Sequence, residues 1–286
     1  MTVEITYEQA MNAVNMVQQL HDKTGALFES QGLDPNSNSI AAKELQTFKR
    51  PKSVFTAYSQ GGSLIDIAAD HLIAFTKTIT EPAQSIAPWT IARSVLEASA
   101  LSSWLLDTKI NAHERVRRSL ALRYEGLSQQ AKFIQSLGQS TEIVNKRIEE
   151  IELIAEELGF PKIRNKKNER IGIGQVMPYV TEIIRDTLNE ESYFRLYSAM
   201  AHSHHWAYTQ LSYRKVEEMT LQDDNTVLVE KHLSVELVWW LCVKVAHYFS
   251  QPIRYKCELY GFDLVSMDTI IGDVRKGIGV RPKNAS

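Results

Sequence analysis

Cysteine is scarce: the 286 residues hold two, Cys242 and Cys257, in apolar or amphipathic surroundings and without metal-ligand spacing. That argues against a disulfide framework or a zinc module, and the pair reads as buried thiols of a reduced, cytoplasmic protein. Net charge is nearly absent too. Lys plus Arg number 32 against 34 Asp plus Glu, so composition points neither toward nor away from nucleic acid, and only local clusters can. Long apolar runs are missing: the longest, 235–249, carries Glu236, Lys244 and His247 and is too short and interrupted to span a bilayer. The N-terminus, Met-Thr-Val-Glu-Ile-Thr, lacks the basic start and apolar core of a signal peptide. No membrane partner is expected. Gly172 and Gly174 lack the third glycine of a dinucleotide fingerprint and follow no clear strand.

What is present is helical periodicity and, with 44% hydrophobic residues, ample material for a core. Thr6 and Gln9 form a capping-box pair for a helix to about Ser30. Further helices are expected at 40–48, at Ser63–Thr80 after the Gly61-Gly62 pair, at Pro88–Leu106, at His113–Leu137, at Thr141–Leu158 with Gly159 as its stop, at Met177–Thr187, and at Ser234–Tyr260 with a break near Pro252. The Thr220–Thr226 turn between short extended runs predicts a small β-hairpin near 216–231. The fold class is therefore all-α: one helical-bundle domain over 1–271 and a loose tail over 272–286, where Gly272, Gly277, Gly279 and Pro282 cluster.

The chemistry concentrates in 190–213, which holds three of the eight histidines within four residues. As one continuous helix, this stretch places Arg195, Ser198, His202, His205 and Thr209 on one polar stripe about 80° wide at about 100° per residue. His204 falls among the apolar positions, as a core histidine. Arg195 and His202 stand two turns apart on the same side, about 10.5 Å along the axis, so both can meet one phosphate. In the apolar 88–106 helix the only charges are Arg93 and Glu97, spaced i,i+4. A buried pair rarely adds net stability, which leaves either a support for the histidine site or an ion pair that fixes helix docking. Arg115, Arg117, Arg118 and Arg123 either track phosphates or form a solvated face. The 161–174 run, with Lys162, Arg164, Lys166, Lys167 and Arg170, is a basic segment suited to RNA, or a plain surface loop. His-x-x-His at 202 and 205, or Asp70 with His71, is thin material for a metal site without carboxylates at ligand spacing. No cofactor is expected.

Arg93, Glu97 and Trp104-Leu105-Leu106 make an Arg-x3-Glu-x6-Trp-Leu-Leu segment, and Ser198, His202 and Trp206 make a Ser-x3-His-x3-Trp segment. Together they resemble a broad, uncharacterised bacterial helical family, over about a third of the chain. Arg195 and His202 also resemble the Arg-x4-6-His signature of HEPN domains, which are helical ribonuclease and toxin modules. Here the spacing is the longest permitted, and Leu196 stands where a polar residue is frequent. The HEPN resemblance implies metal-independent RNA cleavage, in which a 2′-hydroxyl attacks the adjacent phosphate. His202 would act as general acid or base and Arg195 would stabilise charge on the phosphoryl oxygens. His205 or Ser198 would assist, and Glu97, held by Arg93, would orient an imidazole. It also implies a homodimer, and an antitoxin or phage-defence partner. The rival expectation is a non-catalytic module that binds a nucleotide, RNA or partner protein through the Arg93, Glu97, Arg195 and His202 groove.

Overall fold

Thr6 begins the first helix as its spacing predicts. Its hydroxyl accepts from the Gln9 N–H at 3.2 Å, and the Gln9 side chain accepts from the Thr6 N–H at 2.9 Å. Two donors with no intrahelical partner are thereby satisfied. Helix α1 (Tyr7–Gln31) then buries Ala10, Ala13, Val14, Val17 and Leu20 along one face. The computed structural model describes residues 5–80, 83–207 and 233–279. The hairpin expected near 216–231 lies outside these residues.

Ser39 caps α2 (Ile40–Thr47) by accepting from the Ala42 N–H at 3.1 Å. The next helix corrects the expectation. α3 runs from Pro51 to Ile79 with Pro at its first position, where the missing N–H costs nothing, and Gly61-Gly62 lie inside it. The glycine at 61 is there for packing: a Cβ at Gly61 would sit 2.6 Å from Leu106 Cγ, and its carbonyl accepts the Ser102 hydroxyl at 2.8 Å. The end of α4 (Ala87–Leu105) is thus seated directly on the early turns of α3. α4 is apolar nearly all round, as read, and buries Trp89, Ala92, Val95, Leu96 and Leu105.

Asn111 caps α5 (Ala112–Ser136), which is followed by α6 (Glu142–Glu157) packed back on it. The 161–174 run is a hairpin, not a loop. β1 (Lys162–Arg164) pairs antiparallel with β2 (Arg170–Ile173). Asn165 closes the turn by accepting from the Lys167 and Glu169 N–H groups, both at 2.9 Å, and Asn168 takes φ 62°, a conformation asparagine tolerates. α7 (Val180–Leu188) ends on Asn189 in the left-handed region. α8 (Glu191–Ala201) then lies on α4 and α7.

α9 (Val235–Tyr260) continues through Pro252 without the expected break. The tail is corrected as well. Residues 272–278 belong to α10 (Leu264–Ile278), which starts on Asp263 and buries Met267, Ile271, Val274 and Ile278 at 3–4 spacing against α1 and α9. Gly277 is tucked against Met16, its carbonyl accepts from Asn12 at 2.7 Å, and the Ile278 carbonyl accepts from Trp239 Nε1 at 2.7 Å. α1, α3, α4 and α9 form the central bundle, with α10 outside α1, and α5 and α6 beyond α3. Cys242 and Cys257 are free, buried thiols as expected; burial pushes Cys257 up to about 12 and raises Cys242 also. No helix among the described residues is long and apolar enough to cross a membrane.

Candidate functional site

The apolar side of α8 is held by aromatic residues. Tyr197 packs on Trp89 of α4 at 6.0 Å between ring centroids, Tyr193 packs on Trp240 of α9 at 4.9 Å, and the Tyr197 and Tyr248 hydroxyls share a hydrogen bond of 3.1 Å. The start of the helix is pinned by Glu190, which accepts from Lys244 Nζ at 2.7 Å. That ammonium also lies 4.1 Å from the centroid of the Tyr193 ring. These contacts fix which side of α8 faces solvent.

The helix ends earlier than its polar stripe implies. His202 is the C-cap, the Ser203 N–H bonds to the Met200 carbonyl at 3.1 Å, and the His204 N–H bonds to the Ala199 carbonyl at 2.8 Å. That bond pair is a Schellman turn, which requires a left-handed residue after the cap. Ser203 takes that place with φ 56°. The continuous 190–213 helix is therefore corrected: its regular part stops at Ala201, and Thr209 lies outside the described residues. The turn also moves His204. Expected in the core, it is exposed, as are His202 and His205, and its ring centroid is 6.3 Å from that of His202. Trp206 follows with 51% of its surface exposed.

The other expected site residues divide. Arg195 is exposed on the same side of α8 as Glu191, whose carboxylate it meets at 2.7 Å. Ser198, between Arg195 and His202 in sequence, is turned under: its hydroxyl is buried and without a hydrogen-bond partner. Arg93 and Glu97 do pair, at 2.7 Å, but they are only half-buried, at 25% and 31% side-chain exposure. Arg93 covers the Phe194 ring at 5.2 Å. Trp89 meets Tyr197 and Arg93 meets Phe194, so the two helices run antiparallel and Glu97 points toward the start of α8. Phe194 is eight residues before His202, which is about 12 Å along a helix. The structure does not bring the Arg93–Glu97 pair to the histidines; it serves helix docking.

The basic hairpin packs on α5, whereas α8 lies on α4 and α7. Much of its charge is already matched. Arg170 pairs with Glu152, Lys162 Nζ lies 3.4 Å from Glu156, and Arg164 donates to the Asn168 carbonyl at 2.8 Å. Lys166 and Lys167 are exposed at the turn. Three of the four arginines of α5 are engaged within the protein rather than set out along a phosphate track. Arg115 is fully buried, and Arg117 and Arg118 both grip Glu114, at 2.6 and 2.9 Å. Neither His202 with His205 nor Asp70 with His71 completes a metal cluster: no group of three or more His, Cys, Asp or Glu side chains suited to an ion occurs among the described residues.

The residue that sequence periodicity missed is His204, because no glycine or proline marks the turn that exposes it. Compared with family models, curated proteins and solved structures, the chain matches none of them.

Proposed function

We propose that the end of α8 is an RNA-cleaving site of HEPN-like chemistry, with Arg195, His202 and His204 as its working groups. The observation that carries this reading is the pair of exposed imidazoles 6.3 Å apart at the end of a helix whose solvent side also bears Arg195. Attack of a 2′-hydroxyl on the adjacent phosphorus needs one group to take the 2′ proton and another to protonate the departing 5′ oxygen. Two imidazoles at this separation reach both oxygens of one phosphodiester, and the second role falls to His204 rather than to the more distant Glu97. Arg195 approaches the non-bridging oxygens with its fork of donors after exchanging Glu191 for phosphate. The half-exposed Trp206 indole offers a face on which an unpaired base stacks, the usual way single-stranded RNA is held. Ser198 takes no part, since its hydroxyl does not reach the surface.

The test is incubation of the purified chain with total RNA in EDTA, alongside Arg195→Ala, His202→Ala, His204→Ala and Ser198→Ala, with folding checked by circular dichroism. Loss of either imidazole lowers cleavage about 10²–10⁴-fold, the usual contribution of a positioned proton carrier, while Ser198→Ala cleaves like the parent. Equal cleavage by all five proteins, or none by the parent, sinks the catalytic reading and favours a module that binds RNA or a partner without cutting.

A further inference from the structure

α3 presents a face that none of the described residues covers. Phe55 and Ile67 are 60% and 48% exposed, and Lys52, Ser59, Ser63, Asp66 and Asp70 are exposed beside them. At about 100° per residue these side chains and Gly62 share one side of the helix. A groove of ≈ 310 Å³ runs along it, lined by Phe55, Ser59, Ser63 and Ile67 of α3 and by Leu122 of α5. Where a Cβ would stand on Gly62 there is open space, in contrast to the neighbouring Gly61, which is sealed against Leu106.

The order of residues along this face is symmetric about Gly61. Ser59 and Ser63 lie two positions to either side, Phe55 and Ile67 six, and Lys52 and Asp70 nine. When two copies of α3 cross antiparallel about a two-fold axis at Gly61, each residue meets its counterpart. The small residues fall at the crossing, where they let the backbones approach, Phe55 meets Ile67 of the second copy on both sides, and Lys52 meets Asp70 twice. Lys52 and Asp70 stand about 13 Å from the crossing, and helices inclined at about 20° have diverged by only a few ångströms there. A parallel pairing sets Lys52 against Lys52 and Asp70 against Asp70, so charge selects the antiparallel one. Residues that meet their own counterparts across a two-fold axis are the mark of an isologous interface.

We infer that this face of α3 binds a second copy of the chain, antiparallel and two-fold, with Phe55 against Ile67 and Lys52 against Asp70. The surface lies apart from the end of α8, so its test needs no RNA and its outcome is independent of the ribonuclease reading.

Sedimentation equilibrium of the full chain across a concentration series reads the association. The parent dimerises, Lys52→Asp weakens the dimer tenfold or more by placing like charges together twice, and the exchange Lys52→Asp with Asp70→Lys restores it. Gly62→Cys, half-buried but with open space for its side chain beside the axis, forms an interchain disulfide under mild oxidation, while the parent, whose two cysteines are buried, does not. A chain that stays monomeric throughout, or a dimer indifferent to Lys52→Asp and uncrosslinked by Gly62→Cys, overturns the inference and leaves the groove to a different partner.

Discussion

Arg115 is the most deeply buried charged residue among those described. Its guanidinium is fully buried. Nη1 donates to the carbonyls of Leu105 and Asp107 at 2.6 and 3.3 Å, Nη2 to that of Ile110 at 3.3 Å, and Nε to Glu44 at 3.2 Å. The cation also lies 5.0 Å from the Tyr58 ring centroid. The carbonyls of Leu105 and Asp107 belong to the end of α4 and the link that follows, so this one side chain closes the α4–α5 corner and ties it to α2. Arg115→Met keeps most of the apolar stem but orphans the carbonyls and leaves the Glu44 carboxylate, 12% exposed, with only the Tyr58 hydroxyl as donor. Breaking one side of a buried pair costs about 3–5 kcal/mol, and about 4 is expected here. In urea unfolding followed by circular dichroism, with a slope of about 3 kcal/mol/M for a chain this long, the midpoint falls by about 1.3 M. Arg115→Met with Glu44→Gln is less damaging than the sum of the two single changes by about 1 kcal/mol or more, since neither partner then buries an unmatched charge. A cost below about 1 kcal/mol for Arg115→Met, or strict additivity, refutes the assignment.

Three further outcomes are expected. Gly61→Ala lowers stability by about 1 kcal/mol because the clash with Leu106 outweighs the helix preference of alanine, whereas Gly25→Ala in α1, with open space around the new methyl, raises it by about 0.5–1 kcal/mol; both are read from urea midpoints, and equal signs defeat the packing argument. Ser203→Gly relieves the left-handed turn at the end of α8 and stabilises by roughly 0.5–1 kcal/mol in thermal unfolding, and no gain means that Ser203 is not strained. His247, in a cavity between α9 and α10, is held below the usual histidine range by burial, with Arg275 and Lys244 lowering it further and Glu190 opposing them. A depressed histidine is protonated first in the unfolded chain, so stability falls as pH drops through about 6.5. His247→Gln flattens that loss between pH 7.5 and 5.5, and an unchanged loss assigns it to other groups.

Much of the bundle was legible because it is written in local signals. The Thr6–Gln9 box, the apolar sides of α4 and Gly159 as a stop each act within a few residues of the feature they specify. Two of the errors have a common cause in glycine. Gly61 and Gly277 read as breakers, yet each is a place where another element comes close: Leu106 at the first, Met16 at the second. A glycine chosen for close packing and one chosen for a turn are the same letter, and only the partner, 45 residues away for Leu106 and 261 for Met16, tells them apart. The β-hairpin was missed for the opposite reason: its strands are three and four residues long, too short for alternation to rise above the basic composition, and its turn rests on two asparagines.

The proposed site rests on sequence for its place and on structure for its geometry. Histidine density and the spacing of Arg195 and His202 single out this stretch, and both residues are exposed at α8. Ser198, inside the regular helix, has its hydroxyl buried although it lies on the stripe; carrying a helical wheel past Ala201 put His204 in the core, and that was reversed. The cause is one residue: Ser203 in the left-handed region turns the chain so that His204 emerges beside His202. A left-handed serine costs more than glycine would, and such strain is found where a site needs an otherwise unfavoured direction of the chain. The same turn would form more readily with glycine, so the stability gained by Ser203→Gly and any change it makes in RNA cleavage separate two explanations. A variant that is more stable and cleaves as before means the turn alone matters. One that is more stable and cleaves less means the serine holds the two imidazoles at their working distance.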